Sequence, residues 1–273
     1  MSSASQDITL FTAVDRSGDP GFFAEFLERG NRVPAVAASK PVLLDALRLQ
    51  PGQRVLDAGC GTGADVVDLA HRVGAGGTVV GVDISEALIG EARRRVAQAE
   101  GIEATVDLVV GDSQRLDFDD ESFDAVRSER MLMHVPDAEA AVGELVRVTR
   151  RGGRLAVFDF DWDTMIVDSP DRETTRDIVR SFSDSMKNGW IGRRLPRMFR
   201  SRGVVDLSVD SRQVWIDYAF AELLLGGHLV RAQQAGVIAP AQAAEWWRHL
   251  EAADRAGDFL LGFTAFIVSG TRS

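Results

Sequence analysis

A single cysteine in 273 residues, Cys60, leaves no partner for an internal disulfide and no thiolate cage for a metal, and it fits a reducing cytoplasm. Basic residues are also in short supply. There are 31 against 41 acids, so the net charge of −10 has the wrong sign for a protein that binds phosphate backbones, and no nucleic-acid partner is expected. Long apolar runs are missing: Ala219 to Leu225 and Phe259 to Val268 are the longest, well short of the roughly 20 residues of a membrane helix. Met1 to Asp7 has no basic segment leading into an apolar stretch, so no secretory signal is expected and the protein should stay in the cytoplasm. No internal repeat or low-complexity tract stands out. What is present is ordinary for a globular chain, 45% hydrophobic and 26% charged, with enough residues for one large core or two modest ones.

From about residue 53, short β-branched or apolar runs alternate with helix-patterned stretches, which is the signature of βαβ units and a parallel sheet. Strands are expected at Arg54 to Asp57, Thr78 to Asp83, Thr105 to Val110, Phe123 to Ser128 and Arg154 to Asp159. Helices are expected over Asp65 to Val73, from an N-cap at Ser85 to Glu100, and from Asp137 to Arg150. Beyond this the rhythm loosens. Asp171 to Met186 and Leu195 to Arg202 read as helices, Val204 to Ile216 as a strand, Ala219 to Ala256 as a helical insertion, and Phe259 to Ser269 as a last strand. Residues 1–50, with Phe22 and Phe26 at i, i+4, form a helical preface.

The chemistry is concentrated in Val55 to Gly63, where Asp57 closes a strand and Gly59, Gly61 and Gly63 fill the loop that opens a helix. Without Cβ atoms the backbone can lie against a ligand, and the helix N-terminus favours a negative or hydrogen-bonding group there. Twenty residues after Gly63, Asp83 ends the second strand, where a carboxylate can take both hydroxyls of a ribose. Gly59-x-Gly61-x-x-Ala64 also satisfies the dinucleotide fingerprint, so the glycines alone do not choose between nucleosides. Asp57 before them, and Asp112-Ser113 after the third strand, at the edge where an adenine amino group can be accepted, do choose.

Over roughly residues 50–160, these segments, with Phe123-Asp124-Ala-Val and Arg151-Gly-Gly-Arg-Leu, resemble the class I S-adenosylmethionine-dependent methyltransferases. Ser128 to His134 is similar to the corresponding stretch of the ubiquinone/menaquinone-type and actinobacterial natural-product branch. The resemblance implies an α/β, Rossmann-like, doubly wound sheet of seven strands in the order 3-2-1-4-5-7-6 with the last antiparallel. It implies a domain over 51–273 with helical covers at about 162–200 and 217–257, and a lid over 1–50. S-Adenosylmethionine would be the cofactor and S-adenosylhomocysteine the product. Gly59, Gly61 and Gly63 would border its methionine and ribose parts, Asp83 the ribose hydroxyls, Ile84 the adenine face, Asp112 and Ser113 the adenine edge, and Ser128 the methionine amino group. A small-molecule acceptor of secondary or cofactor metabolism would lie near Glu129, Arg130 and Trp162, with His134 to orient or deprotonate it.

Blander expectations stand beside these. His134 can pack under a helix, and Glu129 with Arg130 can form a loop ion pair. Asp159, Asp161 and Asp163 read as a solvated loop; as a calcium loop they fail, because Thr164 replaces the needed glycine and Pro170 the twelfth ligand, and no other metal site is expected. The arginines 193, 194, 197, 200 and 202 read as a solvated face. Phe11, Phe22, Phe23 and Phe26 suit either a lid or simple packing, and Arg32 and Lys40 are the cations at hand for a cofactor carboxylate. Trp246 and Trp247 should divide between core and pocket wall. A nicotinamide oxidoreductase of the short-chain type would need Tyr-x-x-x-Lys, but the only tyrosine, Tyr218, is followed at 222 by Glu. An amino-methylating nucleic-acid enzyme would need adjacent prolines, and there are none. A methyltransferase fold that binds the cofactor for other chemistry, such as cyclisation, stays open, as does oligomeric state.

Overall fold

A computed structural model describes residues 6–273. A 3-10 segment, Ile8–Arg16, precedes α1 (Pro20–Arg32) and α2 (Pro34–Ala46), each opened by a proline whose missing N–H costs nothing at a helix start. The α/β part then runs β1 (Arg54–Ala58), α3 (Ala64–Val73), β2 (Thr78–Asp83), α4 (Glu86–Gln98), β3 (Thr105–Val110), β4 (Phe123–Glu129), α5 (Ala138–Val148) and β5 (Thr149–Val167). It continues with α6 (Arg172–Ser185), α7 (Ile191–Arg200), β6 (Val204–Ile216), α8 (Tyr218–Gln234), α9 (Pro240–Ala256) and β7 (Leu261–Arg272).

The seven strands lie in the order β3-β2-β1-β4-β5-β7-β6, and β7 runs antiparallel to both neighbours. The central strands are apolar on both faces because helices cover both: Val55, Leu56, Val79, Val80, Ala125 and Val126 are buried. Connections leave β1 and β4, adjacent in the sheet, in opposite directions. The crevice beyond their carboxyl ends is therefore the topological switch point where open α/β sheets bind ligands. Ser85 Oγ accepts from Leu88 N (3.2 Å) and Asp137 Oδ1 from Ala140 N (2.9 Å), caps of about 1 kcal/mol each that start α4 and α5 as the sequence indicates.

The bounds of two strands need correction. The fifth strand does not stop at Asp159; it continues through Val167, because Phe160 and Asp161 pair with Ala265 and Thr264 of β7 before a bulge. Asp159 and Asp161 are therefore buried strand residues, and only Asp163 is exposed. The helical insertion is two helices, broken around Gly236, whose φ of 71° is one that glycine adopts without strain. The last strand starts at Leu261 and reaches Arg272. No helix of the described residues is long and apolar enough to cross a membrane.

Candidate active site

After β1 the chain folds back on β2, with Gly59 N and Cys60 N both donating to Val82 O (2.8 and 3.0 Å). The glycines serve different neighbours. A Cβ on Gly59 (φ +77°) would stand 2.5 Å from Met131 Cγ, which lies over the loop, whereas one on Gly63 (φ +72°) would strike Ala92 of α4 at 2.8 Å. Gly63 thus permits helix packing, and only Gly59 and Gly61 line the main cleft. Cys60 is buried, which pushes its thiol well up and leaves it unreactive.

Asp83 stands at the end of β2. Its Oδ2 accepts from Gly61 N (2.9 Å) and its Oδ1 from Ser85 N (3.0 Å), while burial raises its pKa. Each oxygen keeps a lone pair, so a vicinal diol can donate to both. Ile84 is 47% exposed to the cleft beside it, an apolar face for a flat ring. Asp112, at the end of β3, is held by Gln114 N and Nε2 (2.9 and 3.0 Å), and Ser113 adjoins it.

The cleft crosses the carboxyl edge of the sheet. At the β2–β3 end stand Asp83, Ile84 and Asp112; at the β4–β5 end stand Met133, His134, Phe160 and Trp162. Ile8, Phe11 and Phe26 of the preface also line it. The preface is tied down by polar contacts: Asp15 accepts from Ser85 Oγ (2.7 Å) and Glu86 N (2.9 Å), capping α4, and Glu28 accepts from Thr62 Oγ1 (2.9 Å) and Arg95 (2.6 Å).

Behind the glycine loop is a closed charge network that the sequence reading missed. Arg127 on β4 is 1% exposed, and its guanidinium reaches Glu129 (2.6 Å), Asp65 (3.1 Å) and Asp57 (3.5 Å). Lys40 joins Asp65 (2.7 Å) to Glu129 (3.3 Å), and Arg130 meets Glu129 (3.2 Å) and Asn31. Three cations balance three carboxylates. Burial nonetheless pushes Asp57 up to about 6, whereas Arg127 and Lys40 overcome burial and hold Asp65 well below the usual carboxylate range. The signal was available: an arginine inside an apolar central strand has to be paired.

Lys40 is thus engaged by side chains, and Arg32 lines a separate hollow with Trp215 and Phe220. Arg130, at φ +53°, lines both the cleft and the smaller hollow around Asp57 and Gly61. Ser128 is fully buried in β4 and lines neither; its Oγ has no partner among the described residues. The arginines of α7 and the turn after it are partly paired, Arg193 with buried Asp161, and Arg194 and Arg202 with Glu139, so they form no simple solvated face. Trp246 is fully buried and donates to Thr175 (3.0 Å), and Trp247 packs beside it. Neither lines the cleft.

His134 is 7% exposed, packs on Phe11 at 4.8 Å between ring centres, and has no partner for Nδ1 among the described residues. Burial and the charge of Arg130 push it down to about 3, so it is neutral near pH 7. Asp159 fixes the stretch that carries it. Its oxygens accept from Leu132 N (2.9 Å) and Phe160 N (3.0 Å), and burial raises it to about 7. Asn188 holds the other side of that stretch through Leu132 O (3.1 Å) and Val135 O (2.7 Å).

A family model described as a methyltransferase domain matches residues 49–203. The chain belongs to this methyltransferase family. An uncharacterized 37.1 kDa protein in transposon TN4556 of Streptomyces fradiae is 36% identical over 247 residues, 89% of this chain and 69% of that protein. A demethylmenaquinone methyltransferase of Mycobacterium sp. (strain KMS) is 33% identical over 75% of this chain and 74% of its own length. Among solved structures, YcgJ of Bacillus subtilis superposes with a TM-score of 0.60 at 20% identity, covering 86% of this chain and 98% of that one. The [4+2]-cyclase SpnF does so with 0.54 at 20%, covering 87% and 81%. The methyltransferase takes S-adenosylmethionine as its methyl donor. Its residues fit that group: Asp83 has lone pairs to spare for a diol, Ile84 offers a flat apolar face, and Gly59 and Gly61 leave backbone open to the cleft.

Proposed function

We propose that this methyltransferase moves a methyl group from S-adenosylmethionine to a small-molecule acceptor held at the β4–β5 end of the cleft, beneath a lid formed by residues 1–50, of which 1–5 lie outside the described residues. The observation that carries the reading is the continuity of one cleft from Asp83 and Asp112, at the ends of β2 and β3, to His134 after β4 and Phe160 and Trp162 of β5. Asp83 would take the ribose hydroxyls, Ile84 the adenine face, Asp112 with Ser113 the adenine edge, and Arg130 the methionine carboxylate. Asp57 would act through the charge network behind the loop.

The cofactor supplies a methyl group already activated by its sulfonium, so alignment and exclusion of water are what the chain must add. An acceptor held in line at the β4–β5 end would take that methyl group while S-adenosylhomocysteine leaves as the neutral product, and the acceptor's proton would pass out to bulk solvent at the mouth of the cleft. His134 orients the acceptor as a neutral hydrogen-bonding group; the surroundings that hold it near 3 oppose its serving as a proton sink. A relative named for menaquinone supports an acceptor from cofactor or secondary metabolism, and a lone buried cysteine supports a cytoplasmic setting.

Calorimetry with S-adenosylmethionine tests the donor site. Asp83→Ala should weaken binding at least tenfold, since two charge-assisted hydrogen bonds go at about 1.5 kcal/mol or more each. Equal affinity in the variant sinks the assignment. Stoichiometric release of S-adenosylhomocysteine with an acceptor separates methyl transfer from a cyclase-like use of the same fold.

A further inference from the structure

The two edges of the sheet meet solvent differently. β3, at one edge, is six residues long, carries a single charged side chain, Asp107, and has its Leu108 O taken by Arg93 Nη2 (2.9 Å). β6, at the other edge, runs for 13 residues and pairs with β7 along one side only. Among the described residues, nothing outside that ladder bonds to its backbone, and an antiparallel ladder leaves the N–H and C=O of every second residue facing outward. A long open row of this kind is a template for another strand. Val209 and Trp215 on it are half-exposed.

The charges on β6 say which strand fits. Beyond the irregularity between Val205 and Ser208, the strand is regular from Ser208 to Ile216. Within that stretch Asp210 and Arg212 flank Ser211 and, two residues apart, share one face. Arg212 Nη2 reaches Asp210 Oδ2 at 3.3 Å, and its Nε has no partner among the described residues, so the guanidinium has donors to spare. Two copies of β6 laid antiparallel about a two-fold axis through Ser211 set Asp210 of each opposite Arg212 of the other, Val209 opposite Gln213, and Ser208 opposite Val214. Opposite charges facing across strands favour the pairing and like charges oppose it. Moving the axis by one residue either way would set Asp210 against Asp210 or Arg212 against Arg212. The edge is thus self-complementary in one register. β3 has no cation to answer Asp107.

We propose that β6 is the interface for a second copy of this chain, joined antiparallel about a two-fold axis at Ser211 so that the two sheets become one. Such an interface is isologous and closes at two copies, leaving no further β6 edge exposed.

Sedimentation of the full chain over a range of micromolar concentrations should show a dimer. Cys60 is buried, so Ser211→Cys supplies one reactive thiol, and a short bis-maleimide should link two copies through it. Ser208→Cys, exposed but three residues from the axis, stands about 20 Å from its counterpart at roughly 3.4 Å per residue and should not link. Asp210→Arg and Arg212→Asp, each alone, should weaken dimerisation at least tenfold, and the two together should restore it, because the exchanged charges again face their opposites. Thermal unfolding of the same samples reports whether each variant is folded. A chain that stays monomeric overturns the proposal. So does a dimer that Ser208→Cys links as readily as Ser211→Cys, or one that folded single charge reversals leave intact.

Discussion

Arg127→Met removes one of three cations from a closed site that holds three carboxylates. The guanidinium it deletes stands 2.6 Å from Glu129, 3.1 Å from Asp65 and 3.5 Å from Asp57. At an effective dielectric near 20, a single pair at 3.1 Å is worth about 5 kcal/mol, and the relief of no longer burying the guanidinium offsets part of the total. Breaking such a pair from one side costs roughly 3–5 kcal/mol, because Lys40 and Arg130 cannot neutralise three acids. With a urea slope of about 3 kcal/mol/M, a 4 kcal/mol loss lowers the unfolding midpoint by roughly 1.3 M without changing the slope. The deficit should also depend on pH. Asp57 already titrates near 6 in the folded state against 3.8 as its ordinary value, and losing Arg127 raises it further. A raised carboxyl contributes stability that is full below 3.8 and lost as pH rises through the folded value, so the variant's deficit should be greatest above pH 7 and shrink toward pH 5. A midpoint shift under 0.3 M, which is about 1 kcal/mol at that slope, would refute the electrostatic account. A large deficit that ignores pH would assign it to packing.

Other consequences are as direct. Asp15→Ala uncaps α4 and frees the 3-10 segment from Ser85, so stability should fall by about 1–2 kcal/mol and S-adenosylmethionine should dissociate faster in stopped-flow chase; an unchanged off-rate removes the preface from cofactor retention. Asp159 sits near 7 against an ordinary 3.8, so its neutral form stabilises the fold below 3.8 and that contribution is lost as pH rises through about 7, up to about 4 kcal/mol. Asp159→Asn should therefore gain on the unmodified protein as pH rises from 5 to 8 in urea titrations, and a constant difference contradicts the shift. Gly63→Ala forces a left-handed φ on alanine and a contact at 2.8 Å with Ala92, and should cost at least about 1 kcal/mol in thermal or urea unfolding.

How far the sequence carries the fold depends on what each segment meets. Thr78–Asp83 is legible to the residue because a buried parallel strand is an apolar run bounded by glycine and acid, and Thr105–Val110, an exposed edge strand, is legible from its β-branched run ending at Gly111; nothing remote alters either. The second half of β5 is illegible for the converse reason: Phe160 and Asp161 become strand only by pairing with Ala265 and Thr264, more than 100 residues on. Without that partner, alternating acids and aromatics read as loop. The glycine loop marks a site, but the separate duties of Gly59 and Gly63 depend on Met131 and Ala92, which no local spacing brings near.

The charge network lies between these cases. Lys40 reaches Glu129 across 89 positions, beyond any local rule, yet Arg127 stands in plain view next to Ala125 and Val126 in a buried central strand. A guanidinium there must be neutralised in place, and Asp57, at the end of the neighbouring strand, is the first acid that parallel pairing of β1 with β4 brings beside it. The register sets Asp57 opposite Arg127 itself. The acid before the glycines therefore answers a demand of the sheet, and its raised pKa is the trace of a burial that Arg127 only partly offsets.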